Sequence, residues 1–327
     1  MLKEKIEQFK IFSETVLAFT VLPLLSIFFY ELRFLFFLSP VPLLYGYLRH
    51  GRLVGSLLTL SAILGIIFLE SNEGIILFFL TSVLIATVFS EMTRRNLKID
   101  QIFIRSLLVL LFFYGISLFI FSKGHPYHFG YEKMNQSLTS LPQFLNAQEK
   151  TLLDTWKIDP LQLEQWKQKA QDISTHSDSL VTSFLRDNLI GYGVSGLLLI
   201  LWASLIIINF LGIRITPFDL KKWKTPDHLV WLFVIVFFFY EISVPVLTPV
   251  SKNLFILLAV IYFLQGISIA SYYFSYKKYA RIQKTLGYSL LIFFPFLTAC
   301  FGFFDLWANF RGHMGKQNQK PVLRPKA

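Results

Sequence analysis

"LVWLFVIVFFFY" (229–240) decides the fold class. A helix on the surface of a soluble protein shows an apolar stripe and a polar face. These twelve residues have no polar face at all. They belong to an apolar block at about 229–249, and comparable blocks lie at about 12–30, 34–48, 53–69, 75–90, 103–122, 189–211, 253–274 and 287–309. Most approach the roughly 17–25 residues that carry a helix across a bilayer. The chain of 327 residues is 54% hydrophobic, with a mean hydropathy of +0.55 and only 16% charged residues, against about 25% in a soluble domain. The expectation is an all-α, polytopic integral membrane protein of about eight to nine transmembrane helices. The block at 34–48 is short and holds "SPVP" (39–42), so it is a candidate broken or re-entrant segment.

The net charge of +11 would point to nucleic acid in a soluble protein. Here the Lys and Arg sit in short loops, "RHGR" (49–52), "EMTRRNLK" (91–98), "RITPFDLKKWK" (214–224) and "YKKYARIQK" (276–284). Counting helices places these loops on one side, the cytoplasmic side by the positive-inside rule. Nucleic acid is therefore not an expected partner, and the bilayer with its anionic headgroups is. "ESNEG" (70–74) and the insert 123–188, with seven Lys/Arg against eight Asp/Glu, fall on the opposite side. The organisation expected is a membrane half at 1–122, an extracytoplasmic helical insert at 123–188, a second membrane half at 189–311 and a basic tail at 312–327. The tail sets a conflict, because nine spans from an inside N-terminus would leave it outside. Either block nine is re-entrant around Pro295, or the tail departs from the rule.

Within the insert, "DPLQLEQWKQKAQDI" (159–173) reads as a helix capped by Asp159 with Pro160 at its first position. Leu163, Trp166, Ala170 and Ile173 recur at helical spacing. This helix lies on the outer membrane surface, or it forms part of a small hairpin packed on the span ends. The same logic gives block seven Thr225 as cap and Pro226 as first residue.

Signatures of chemistry are sparse. "GYGVSG" (191–196) has the dinucleotide spacing but opens a membrane helix, where glycines serve close helix packing. No ATPase loop and no H-E-x-x-H motif occurs, and "HPYH" (125–128) lacks a further metal ligand nearby. No enzyme, metal or cofactor is expected. Cys300, the single cysteine, has no partner for an intramolecular disulfide. The informative residues are polar ones inside apolar blocks. Glu241 is followed by Pro245 and Pro249, and Gln265 lies at comparable depth in block eight, so Glu241 and Gln265 are the candidate ligand-binding pair. An acidic group at a helix centre costs about 2.5–3.5 kcal/mol, so it faces a cavity, a proton path or a partner that it merely holds in place. The proline breaks resemble those lining transporter sites. Asp305, Trp307, Asn309 and Arg311 are interface candidates. Asp305 and Asn309 share a face at i, i+4, whereas Asp305 and Arg311 do not, which argues against an Asp–Arg bridge along the helix.

Three stretches carry a resemblance: "FDLKKWKTPDHLVWLF" (218–233), "NLFILLAVIYFLQGISIASYYF" (253–274) and "FGFFDLWANFR" (301–311). They resemble the C-terminal signatures of the YybS-like predicted membrane proteins, domain of unknown function 2232. The pattern falls on Phe218, Trp223, Pro226, Asn253, Gln265, Gly266, Gly302, Asp305, Trp307, Phe310 and Arg311. The resemblance implies a bacterial plasma-membrane protein of some eight helices. That family is distantly similar to substrate-binding subunits of energy-coupling-factor vitamin transporters and to the MreD kind of rod-shape protein. Two functions follow as expectations. One is small-solute binding and transport, as a substrate-binding subunit needing a separate energising module. The other is a scaffold or assembly role among envelope proteins.

Overall fold

A computed structural model describes residues 18–95, 97–122, 125–213, 221, 223–242 and 247–317. Among them every regular element is helical. In chain order these are α1 (Ala18–Glu31), a 3-10 turn (Arg33–Leu38), α2 (Pro40–His50), α3 (Arg52–Ile67), α4 (Asn72–Thr93) and α5 (Ile99–Phe121). The insert holds α6 (Pro126–Thr139), α7 (Leu141–Asp154), α8 (Pro160–Thr175) and α9 (Ser177–Asp187). Then come α10 (Leu189–Phe210), α11 (His228–Ile242), α12 (Thr248–Tyr276), α13 (Arg281–Phe293), α14 (Pro295–Ala308) and α15 (Phe310–Gln317).

The described parts of all nine apolar blocks fall on helices, and few of these reach spanning length among the described residues. Four helices, α4, α5, α10 and α12, are long and apolar enough to cross a membrane. The pair α13 and α14, bent by 97° just before Pro295, makes a fifth if counted as one broken span. The proline opens a new helix there because it cannot donate to the preceding turn. The second block is broken, as "SPVP" implied: the 3-10 turn ends at Leu38 and α2 starts at Pro40. The buried Ser39 between them donates its hydroxyl to the Phe36 carbonyl at 2.7 Å. Its own carbonyl accepts the Ser26 hydroxyl, and its Oγ lies 2.6 Å from that of Ser82. Ser82 sits in a π-helical stretch of α4, Phe79–Leu84. In block seven α11 is described as far as Ile242, and Pro249 belongs to the first turn of α12. Pro245 and Phe218 lie outside the described residues.

The chain divides into two compact units, and unit 1 draws on both sides of the insert. Unit 1 comprises residues 1–114, 194–227 and 259–327; unit 2 comprises 115–193 and 228–258. In unit 2 the insert forms an antiparallel helical hairpin, each arm broken once: α6 packs against α9 and α7 against α8. Tyr131 donates to Asp178 across the arms at 2.6 Å, and Lys167 pairs with Glu149 at 2.9 Å. Asp159 caps α8, its side chain accepting from the Leu161 N–H at 2.8 Å. The single apolar face expected for this helix is divided. Leu163 and Ala170 are buried, whereas Trp166 and Ile173 are exposed. The buried pair, two turns apart, is set by the helices that pack on α8, chiefly α7.

In unit 1, α12 and α14 touch backbone to backbone. A Cβ on Gly302 would overlap the Tyr262 carbonyl oxygen, and one on Gly266 would overlap that of Thr298. Small residues allow such approaches between helices that water cannot drive together. Gly302→Ala therefore lowers the thermal unfolding temperature in detergent, with an overpacking cost of about 1–3 kcal/mol. Gly193→Ala, at a position with open space around it, leaves that temperature unchanged.

Candidate functional site

The signature residues gather around a short non-helical segment, Trp223–Thr225, that lies along α12 rather than beyond its end. Gln265 stands eleven residues before Tyr276, about 16 Å up the helix at 1.5 Å per residue. Buried backbone outside a helix persists only where its polar groups find partners in the protein. The Thr225 N–H donates to Gln265 Oε1 at 3.1 Å, and the Thr225 hydroxyl donates to the same oxygen. The Trp223 carbonyl accepts from the Ser268 hydroxyl at 2.9 Å and from Arg311 at 2.7 Å. Arg311 also reaches the Lys221 carbonyl at 3.4 Å. The Trp223 indole N–H donates to Asp100 at 2.9 Å, tying the segment to the start of α5. Thr225 is thus not the cap of the following helix. Its hydroxyl is engaged by Gln265, and α11 begins three residues later at His228.

Asp305 closes the cluster and overturns one expectation. It is 3% exposed, and its carboxylate accepts from Arg311 at 2.7 Å, from the Phe310 N–H at 3.0 Å and, weakly, from Gln265 Nε2 at 3.4 Å. Residues i and i+6 do not share a face on one straight helix. The helix is not straight: α14 ends at Ala308, and Asn309 adopts the left-handed conformation with φ 39°. Asparagine tolerates that region better than most residues. The reversal turns Arg311 back onto Asp305. Asn309 also receives the Gly312 N–H on its side-chain oxygen at 3.2 Å. Trp307 is exposed on the outer face, its ring against Phe303. Thus Asp305 meets both the terminal arginine and a neighbouring helix, and Gln265 belongs to this polar clasp.

Glu241 belongs to unit 2, as the penultimate residue of α11, and its side chain is exposed. Beside it, Tyr240, Phe233 and Phe237 pack around Phe255 of α12. The signature asparagine has a purely structural set of bonds. Asn253 Nδ2 donates to the Asp187 and Pro249 carbonyls at 2.8 and 2.7 Å, and Oδ1 accepts from the Gly191 N–H. Gly191 needs its missing side chain there, because a Cβ would sit 2.8 Å from the Asn253 backbone. The packing reading of "GYGVSG" holds for this first glycine, whereas Gly193 and Gly196 face open space. Asp187, between α9 and α10, is buried and pairs with Lys252 at 2.9 Å and Arg186 at 2.8 Å. Those two cations hold its carboxyl below the usual carboxylate range. Sequence reasoning passed over Asp187, Lys252 and Ser268, and gave Thr225 a different role. Only Ser268 carried a signal, since it lies one turn after Gln265 on the same face of the helix.

Contacts bring three of the basic loops, those before α3, α5 and α11, to one end of unit 1. Arg52 pairs with Glu91 at 2.7 Å, and Arg95 approaches the same carboxylate at 3.7 Å. Asp100 and Trp223 join the loops before α5 and α11. Arg311, past the end of block nine, bonds to the second of these loops. At the opposite end Arg33 pairs with Glu70.

A chain whose described residues form only helices, four or five of them apolar and of membrane-spanning length, is a multi-pass membrane protein. A family model described as "Predicted membrane protein (DUF2232)" matches residues 11–306, and the chain belongs to that family. No curated protein and no solved structure matches it.

Arg311→Met leaves the Asp305 carboxylate buried without its cation and costs about 3–5 kcal/mol. The detergent-solubilised variant unfolds at a lower temperature than wild type. Asp305→Asn costs less, because an amide oxygen still accepts from Phe310.

Proposed function

We propose that this protein is a non-enzymatic assembly or scaffold component of the bacterial cytoplasmic membrane. Its signature residues serve the membrane fold, and its hairpin α6–α9 projects on the extracytoplasmic side as the partner surface. The observation that carries this reading is the saturation of the clasp. Gln265, Asp305 and Arg311 use their polar groups on one another and on the backbone of 221–225. A solute-binding role needs polar groups that converge on a solute instead. The hairpin, by contrast, exposes Phe144, Trp156, Leu161 and Trp166, residue types that anchor protein interfaces.

One observation favours the second reading, a solute-binding subunit relying on a separate energising module. Glu241 is a carboxylate on a helix otherwise almost wholly apolar, with no ion-pair or hydrogen-bond partner among the described residues. Photo-crosslinking in cells from positions 156 and 166, paired with native mass spectrometry of the protein in mild detergent, separates the two. The scaffold reading expects a discrete envelope-protein adduct and no stoichiometric small molecule. A small-molecule adduct lost in Glu241→Gln, with no protein adduct, overturns it in favour of transport.

The bonds from Arg311 to the 221–223 loop support a topology in which block nine is a bent, re-entrant pair and the tail is cytoplasmic, as the positive-inside rule requires. In a Cys300→Ser background, a cysteine at position 320 is then labelled by an impermeant maleimide only after the membrane is opened. One at position 156 is labelled in intact spheroplasts.

A further inference from the structure

The inner face of α5 is well packed: Ile102, Phe103, Ser106 and Leu110 are all buried. The opposite face carries Lys98, Gln101, Arg105, Leu108 and Phe112, spaced at three and four residues and all exposed. Arg105 is the anomaly. It stands six residues into a span that begins at Ile99, about 9 Å along the helix axis. It has no ion-pair or hydrogen-bond partner among the described residues. The nearby carboxylates are engaged elsewhere: Asp100 accepts from Trp223, and Glu91 holds Arg52 and Arg95.

An exposed charge at that depth is expensive unless it extends toward the interface and meets a counter-charge. A guanidinium matches a phosphate with two parallel hydrogen bonds. Lys98 lies two turns nearer the basic end on the same face, and the Gln101 amide lies between them. Beyond Arg105 the face turns apolar through Leu108 and Phe112. That order, two cations and an amide followed by an apolar track, matches a phosphate headgroup followed by an acyl chain. We propose that the outer face of α5 binds one anionic glycerophospholipid of the basic-loop leaflet, its phosphate held by Arg105 and Lys98 and its chain along Leu108 and Phe112. The basic loops attract anionic lipid in general; Arg105 supplies a particular seat for one molecule.

The test uses the full chain in mild detergent, titrated with phosphatidylglycerol or phosphatidylcholine of the same acyl chains and read by native mass spectrometry. Wild type binds one phosphatidylglycerol in preference to phosphatidylcholine. Arg105→Gln and Lys98→Gln each weaken that binding about fivefold, the ratio that roughly 1 kcal/mol per basic residue implies. Lys284→Gln, on α13, leaves it unchanged. Equal retention of both lipids, or unchanged phosphatidylglycerol binding in Arg105→Gln, overturns the proposal. So does displacement of the lipid by millimolar inorganic phosphate, which would mark a site for free phosphate. If Arg105→Gln does not fold, Lys98→Gln decides the matter from just outside the span.

Discussion

A stretch of backbone without a helix of its own, lying against the middle of a membrane helix, dictates much of unit 1. The backbone groups of Trp223–Thr225 that α12 covers cannot be left bare, because a buried polar group without a partner costs about 1–3 kcal/mol. Gln265, Ser268 and Arg311 supply the partners. Each then imposes its own condition. Gln265 must sit on the face of α12 that meets the segment. Arg311 must turn back toward it, which needs the left-handed Asn309, and its charge must be balanced, which needs Asp305. The close approach of α12 and α14 that brings Asp305 beside Gln265 needs Gly266 and Gly302. Five of the signature residues, Gln265, Gly266, Gly302, Asp305 and Arg311, are accounted for by this one requirement.

That accounting changes what the polar residues of the membrane region mean. A glutamine and an aspartate inside apolar helices invite a substrate, because polar groups there are costly and are retained for a reason. Here the reason lies inside the protein. Asn253 shows the same economy in unit 2, with its three bonds fixing the start of α10 against α12. Surfaces that remain open lie on the insert hairpin, on Glu241 and on the outer face of α5. Function is more readily sought there than in the clasp.

The sequence by itself determined the class, because blocks such as 229–240 are apolar on every side and can be stable only in lipid or a deep core. It also determined the break at "SPVP", the Asp159 cap and the packing role of Gly191, all of them local properties. Tertiary structure alone decided the rest. The pairing of Asp305 with Arg311 depends on one residue with positive φ, which a straight-helix projection misses. The choice of Leu163 and Ala170 over Trp166 and Ile173 as the buried face depends on which helix packs alongside α8. Hydropathy reports that a residue avoids water; it does not report which backbone group or neighbouring helix the residue has found instead.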